Sequence, residues 1–166
     1  QAYDSLRRKL SPSRGAVLAV GSVDVSRALS KDFEELVCRQ IADEKRKGAK
    51  ALKLWKNMTL FSQEYFGRQV PLDDPCFKPV WTACAREGLP VIIHIADPPS
   101  FFKPVDEFNE YRSCLLQHPE WSFYKPGIPG FEEHMRMQEA VIAGNPHTTF
   151  IVAHVGSYAE NLKAVG

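Results

Sequence analysis

Apolar positions along the chain follow two patterns, short continuous runs and stripes at helical spacing. The stripes begin at Phe33, Phe77 and Phe131 and recur every three or four residues, which predicts three helices. The continuous runs predict four strands, at residues 15–25 (GAVLAVGSVDV), 50–55 (KALKLW), 90–95 (PVIIHI) and 148–155 (TTFIVAHV). Strands without polar alternation are typical of a parallel sheet, so the alternating order predicts an α/β fold.

Residues with specific capping chemistry mark the ends of the predicted helices. Ser30 is a candidate N-cap for the first helix, and Gly48 is the residue that ends it. Asp74 followed by Pro predicts the start of the second helix, and Gly88 its end. Ser157 is in position to cap a further helix near the end of the sequence.

Residues 96–130 form the longest stretch without a regular pattern and hold six of the 12 prolines. A short helix is expected within it, near residues 105–116. Loops of this length in a compact domain are usually functional. We expect its aromatic side chains to roof a pocket and exclude water. The aromatic residues expected there are Phe101, Phe102, Trp121, Phe123 and Tyr124.

Two architectures fit the alternation, a doubly wound open sheet and part of a (β/α)8 barrel. No G-x-G-x-x-G motif follows any predicted strand, which disfavours an open sheet that binds a phosphorylated ligand. A whole barrel takes about 250 residues, whereas about four β/α units are predicted here. In both architectures the functional site lies at the carboxyl ends of the strands.

Polar side chains occur near the ends of three predicted strands. Side chains alternate along a strand, and adjacent strands lie about 4.8 Å apart, so we expect Lys53, His94 and His154 to point inward as neighbours. On the fourth strand this places His154 on the same face as Phe150 and Val152. Two imidazoles beside an inward cation indicate metal ligation or proton transfer.

The remaining histidines are not expected to lie beside other chemically active side chains. We interpret His118, His134 and His147 as structural or solvated, with His134 on the exposed side of its helix and His147 at the start of its strand.

Composition narrows the classes of partner. The 21 Lys and Arg residues nearly balance the 20 Asp and Glu, so the net charge of +1 disfavours binding to nucleic acid or an anionic membrane. No apolar run approaches the roughly 20 residues that a membrane-spanning helix needs. The four cysteines form no C-x-x-C and are interpreted as reduced thiols, which favours a cytoplasmic location.

Several segments resemble one known family. GAKALKLWKN, EGLPVIIHIADP and NPHTTFIVAHVGSYAENL are similar to the fourth, fifth and sixth strands of the amidohydrolase-related metal-dependent hydrolases. FNEYRSCLLQHPEWSFY is similar to one branch of that family. The most specific pieces are G-x-P-V-x-x-H and F-I-x-A-H, in that order.

This resemblance implies a partial (β/α)8 TIM barrel, with strands three to six of eight, and a divalent metal, commonly zinc, at its mouth. It implies that His94 is a metal ligand and that His154 is the catalytic acid/base or a second ligand. Lys53 is expected to be a charge partner or substrate contact. Asp97, just past His94, is either a residue that supports the metal site or a turn residue before Pro98.

The family takes two ligands from an H-x-H on its first strand, and this sequence contains no H-x-H. We therefore expect residues 1–166 to be a single partial barrel domain, a fragment that is inactive alone. In a complete enzyme, a metal-activated water would attack a carbonyl group of a small-molecule substrate.

Two alternatives stay open. Some members of the family are decarboxylases, in which the metal holds the substrate carboxylate instead. The other alternative is a non-catalytic half-barrel that closes on a second copy as a homo-oligomer, and a native mass of two chains would support it.

Overall fold

The computed structural model describes residues 18–54, 56–95 and 98–165. Trp55 and Asp97, both part of the expectations above, lie outside the described residues. None of the described helices is long and apolar enough to cross a membrane. The helices and strands in chain order are β1 (Val20–Ser22), α1 (Phe33–Arg46), β2 (Ala51–Leu54), α2 (Asn57–Leu60), α3 (Ser62–Phe66), α4 (Lys78–Glu87), β3 (Val91–Ile93), α5 (Arg112–Gln117), α6 (Phe131–Ala143) and β4 (Phe150–Val152). A single helical turn, Ala153–Gly156, follows β4.

The four strands form one parallel sheet in the order β1-β2-β3-β4. Sequential order, with a helix between successive strands, is the arrangement of consecutive units in a (β/α)8 barrel. The predicted α/β fold, a partial barrel of about four parallel units, is therefore confirmed.

The register gives the sheet two unlike faces. Leu52 pairs with Val91, and both are fully buried. Their face is covered by α1 and α4, whose Val37, Ile41 and Val80 belong to the same hydrophobic core. Gly21 also lies on this face, where a Cβ atom would collide with Glu44 of α1. Helix and sheet can approach closely because the glycine has no side chain.

The opposite face is the open one. Ser22, Lys53, Ile92 and Ile151 lie in lateral register across the four strands. Ile151 is 48% exposed, and Lys53 and Ile92 are half-buried. In a barrel this is the inward-facing side, so the polar groups on it point where a ligand would bind.

The predicted helix ends are confirmed at three positions. The carboxylate of Asp74 accepts a hydrogen bond from the backbone N–H of Cys76 at 2.9 Å, and Pro75 begins the 3-10 turn Pro75–Phe77 that leads directly into α4. Gly88 ends α4 in the left-handed region, with φ of 59°. Gly48 follows α1 with φ of 94°. At the start of α1 the N-cap is Asp32, and the Ser30 hydroxyl donates to its carboxylate instead of capping the helix.

The long segment is more ordered than the sequence predicted. It contains α5 and 3-10 turns at Pro99–Phe102 and Pro119–Trp121. The helix expected near residue 105 starts only at Arg112. Asn109 is the physical reason, since its buried amide donates to the carbonyls of Ser100 and Pro104 and its oxygen accepts from the Tyr111 N–H. Such side-chain bonds compete with the backbone bonds of a helix.

The predicted placement of His134 on the exposed side of its helix was wrong. It lies fully buried on α6, with its ring 5.4 Å from that of Phe102. Burial lowers the pKa of His134 to about 4, and nearby Glu133 and the carbonyl of Pro129 oppose this only in part. His147 is exposed, and His118 stacks on Trp121. The four cysteines are all free thiols.

Truncation of an isoleucine side chain should lower the free energy of unfolding by different amounts on the two faces of the sheet. Ile93→Ala removes a fully buried side chain and should lower the free energy of unfolding by about 2–5 kcal/mol. Ile151→Ala, on the open face, should cost no more than about 1 kcal/mol. Urea denaturation of both variants measures this, and equal losses would show that the second face is also covered.

His134 should make stability depend on pH. Its folded-state pKa lies below the ordinary histidine value, so between pH 6.5 and 4 the unfolded chain binds the proton first. Stability is therefore lost as the pH falls through this window, by about 2 kcal/mol at pH 5. His134→Leu should remove that part of the pH dependence in urea melts at pH 8 and pH 5. His147→Leu, at an exposed histidine, is the matched control and should leave it unchanged.

Candidate functional site

Two histidines meet at the carboxyl end of the sheet. His94 follows directly after β3, and His154 follows two residues after the end of β4. Their ring centroids lie 4.9 Å apart, edge to face at 72°. His94 is half-buried, whereas His154 is exposed. The structure thus brings together two of the three side chains that the sequence predicted as neighbours.

The route by which His154 reaches this position differs from the prediction. In the sheet register Phe150 pairs with the fully buried Val91, and its ring packs on Trp81 of α4 at 5.8 Å. Phe150 therefore lies on the helix-covered face. Simple alternation would have placed His154 there too, on the opposite side from His94. The expectation that Phe150, Val152 and His154 share the inward face is wrong.

A left-handed turn after β4 changes the direction of the chain and brings His154 beside His94. The backbone leaves the extended conformation after Val152, and His154 has φ of 52° and ψ of 47°. Val155, Gly156 and Ser157 follow with φ of 54°, 66° and 67°. A non-glycine residue in this region costs about 1–2 kcal/mol, and a β-branched valine is among the least tolerant. Ser157 therefore does not cap a helix here, contrary to the prediction.

Both histidines line one cavity of about 270 Å³. The long loop supplies Pro98, Pro99 and Tyr111 as a largely apolar wall, and the segment after β4 adds polar Ser157 and Glu160. A small molecule would meet the two imidazole rings at one side of this cavity and flat apolar surfaces at another. Such a combination is typical of small-molecule sites.

The aromatic roof was predicted with the wrong residues. Phe102 and Phe123 are buried in the core, with rings 5.3 Å apart. Trp121 and Tyr124 are exposed, and none of the five aromatic residues named above lines the histidine cavity. The loop does reach the cavity, but with two prolines and Tyr111.

Lys53 lines a different cavity, of about 170 Å³, with Asp24, Met58 and Tyr65 among its walls. Burial lowers the pKa of the Lys53 ammonium group. Lys53 pairs in register with Ile92, two residues before His94, so the two cavities open from adjacent strands of the same face. Its role as a charge partner or substrate contact stays a prediction.

The donor chemistry of the histidine pair suits a divalent metal in kind but not in number. Imidazole nitrogen is a common zinc ligand, yet zinc sites in proteins use three or four protein ligands. Within residues 18–54, 56–95 and 98–165, no group of three or more His, Cys, Asp or Glu side chains is arranged to hold a metal. The described residues therefore supply at most part of a coordination sphere.

Gln138 is a residue near the site that the sequence reasoning missed. It lies on α6, is 3% exposed, and donates from Nε2 to the carbonyl of Gly156 at 2.9 Å. The available signal was a polar residue in the buried stripe of α6, between Met135 and Val141. A buried amide in such a stripe must find a hydrogen-bond partner.

Comparison with known proteins agrees with the barrel-type fold. A family described as Amidohydrolase matches residues 19–165, which is nearly the whole chain. The chain has no significant match among the curated proteins or among the solved structures. The chain belongs to the amidohydrolase family, a family of metal-dependent hydrolases and related lyases that generally use divalent metals.

The strain in the left-handed turn can be measured. Val155→Gly should raise the free energy of unfolding by about 1 kcal/mol, because glycine adopts positive φ without steric cost and the valine side chain is 52% exposed. Val152→Gly is the control within the same segment. Its φ is −90°, so glycine gains nothing there and should destabilise the strand. Urea denaturation distinguishes the two, and a loss of stability in Val155→Gly would contradict the assigned backbone.

Proposed function

We propose that this chain contributes the His94–His154 part of the active site of a metal-dependent hydrolase that acts on a small carbonyl compound. The observation that carries the proposal is the edge-to-face contact of the two imidazoles at the carboxyl end of β3 and β4, within one cavity. Membership of the amidohydrolase family supports the same class of chemistry.

In this proposal the two histidines have different roles because they differ in burial. His94 is half-buried at the end of a strand whose register is fixed on both sides, so its ring is held firmly and suits a metal ligand. His154 is exposed on a turn and can exchange protons with solvent and substrate. It therefore suits the role of acid/base that orients water or protonates the leaving group.

The remaining groups complete the binding surface. Pro98, Pro99 and Tyr111 would position the apolar part of the substrate, and Ser157 would contact its polar part. A bound divalent ion, zinc being our proposal, supplies Lewis acidity that activates water and polarises a carbonyl group. Further ligands must come from groups other than the described residues, and Asp97 stays a candidate for supporting the site.

Zinc titration tests the proposal. We expect the chain to bind one zinc ion weakly in isothermal titration calorimetry, since only two imidazoles are supplied by the described residues. His94→Ala should weaken binding by at least tenfold, whereas His154→Ala should weaken it less. His147→Ala, at an exposed histidine away from the cavity, is the matched control and should leave the affinity unchanged.

Two results would overturn this assignment. Equal loss of zinc affinity in the His94 and His154 variants would contradict the separate roles. Equal affinity in all three variants would show that zinc does not bind at the pair. We also propose that the isolated chain is inactive, so measurable zinc-dependent hydrolysis of simple esters or amides by it would contradict the expected incomplete ligand set.

A further inference from the structure

The turn that carries His154 is anchored from outside the sheet. Three of its residues, His154, Val155 and Ser157, hold positive φ without being glycine. Its backbone hydrogen bonds run from the Ser157 N–H to the carbonyls of Ala153 and His154, and from the Tyr158 N–H to that of Val155. These bonds are local and would not by themselves select this conformation over an ordinary right-handed turn.

Contacts with α6 favour the left-handed conformation of the turn. The buried amide of Gln138 donates to the carbonyl of Gly156, two residues after His154. One helix position further on, Glu139 accepts a hydrogen bond from the hydroxyl of Tyr158. The two bonds hold the turn at its centre and its end, and Gly156 itself is buried against Gln138, Tyr158 and Val152.

We infer that Gln138 is the positioning residue of His154: its amide holds the left-handed turn that places the His154 ring against His94. Gln138 does not line the histidine cavity, so it acts on the site only through the backbone of the turn. The importance of Gln138 for activity rests on the proposed function. Its role in holding the turn concerns only the geometry of the histidine pair.

Removal of the donor should let the turn relax. Without the bond to Gly156, Val155 can return to negative φ, where its side chain meets no steric penalty. The chain after Val152 would then continue in its strand direction, toward the face covered by helices. His154 would lose its contact with His94, while His94, held by the sheet register, would stay in place.

The experiment compares wild type with Gln138→Met, a variant of similar shape without a donor. In wild type, the ring protons of His94 and His154 should show a nuclear Overhauser effect, because the ring centroids lie 4.9 Å apart. In Gln138→Met we expect this signal to fall at least fivefold. Zinc affinity should weaken no more than in His154→Ala, because Gln138 acts on the site only through His154.

Rescue distinguishes positioning from general stability. Adding Val155→Gly to Gln138→Met removes the steric cost of positive φ at residue 155 and should restore at least part of the ring contact. Ile41→Val destabilises the core at a fully buried site in α1 and should leave the ring contact intact. Gln117→Met, at an exposed glutamine, is the matched control for the substitution itself.

The outcomes separate cleanly. An intact ring contact in Gln138→Met, or equal loss in Ile41→Val, overturns the inference. Loss in Gln138→Met with rescue by Val155→Gly supports it. If Gln138→Met loses the ring contact but wild type binds no zinc, the positioning role is supported and the proposed function is contradicted. If wild type binds zinc but Gln138→Met keeps the ring contact, the proposed function is supported and the positioning role is contradicted.

A measurement on the unaltered chain keeps the inference testable if Gln138→Met does not fold. The side-chain amide protons of Gln138 should exchange with solvent much more slowly than those of Gln117, since one is buried and hydrogen-bonded and the other exposed. Equally fast exchange of both would overturn the assigned bond.

Discussion

The parallel register of β2 and β3 beneath α1 and α4 is the constraint on which the rest of the structure depends. It buries Leu52, Val91 and Ile93 on one face and thereby directs Lys53 and Ile92 to the other. Because parallel strands end at the same edge, the first residue past β3 emerges beside the segment past β4. Burial of apolar surface on one side of the sheet thus decides where polar chemistry can occur on the other.

The sheet holds only one member of the histidine pair. His94 takes its direction from strand alternation, whereas His154 takes its direction from a turn that departs from the strand. That turn holds three non-glycine residues at positive φ, and side-chain hydrogen bonds with α6 compensate this strain. Backbone strain of this kind persists where the surroundings determine the conformation, and it is frequent at functional sites.

Most of the fold and part of the site could be predicted from the sequence. Continuous apolar runs located the strands, and Asp74, Gly48 and Gly88 located helix ends, because those signals are local. The face of His154 could not be predicted, since alternation says nothing of where a strand stops. The hydrogen-bond partner of Gln138 could not be predicted either, because a polar residue in an apolar stripe acquires its partner only from the tertiary fold.

The two histidines are held by different structural elements, and this determines how the site unfolds. Strands joined on both sides open only with the whole sheet, whereas a strained turn tied by a few bonds opens locally at a lower free energy. The turn can therefore open locally while β3 stays paired on both sides. On warming, His154 should move away from His94 while His94 and the sheet remain native. The contact between the two rings would therefore be lost at a lower temperature than that of global unfolding.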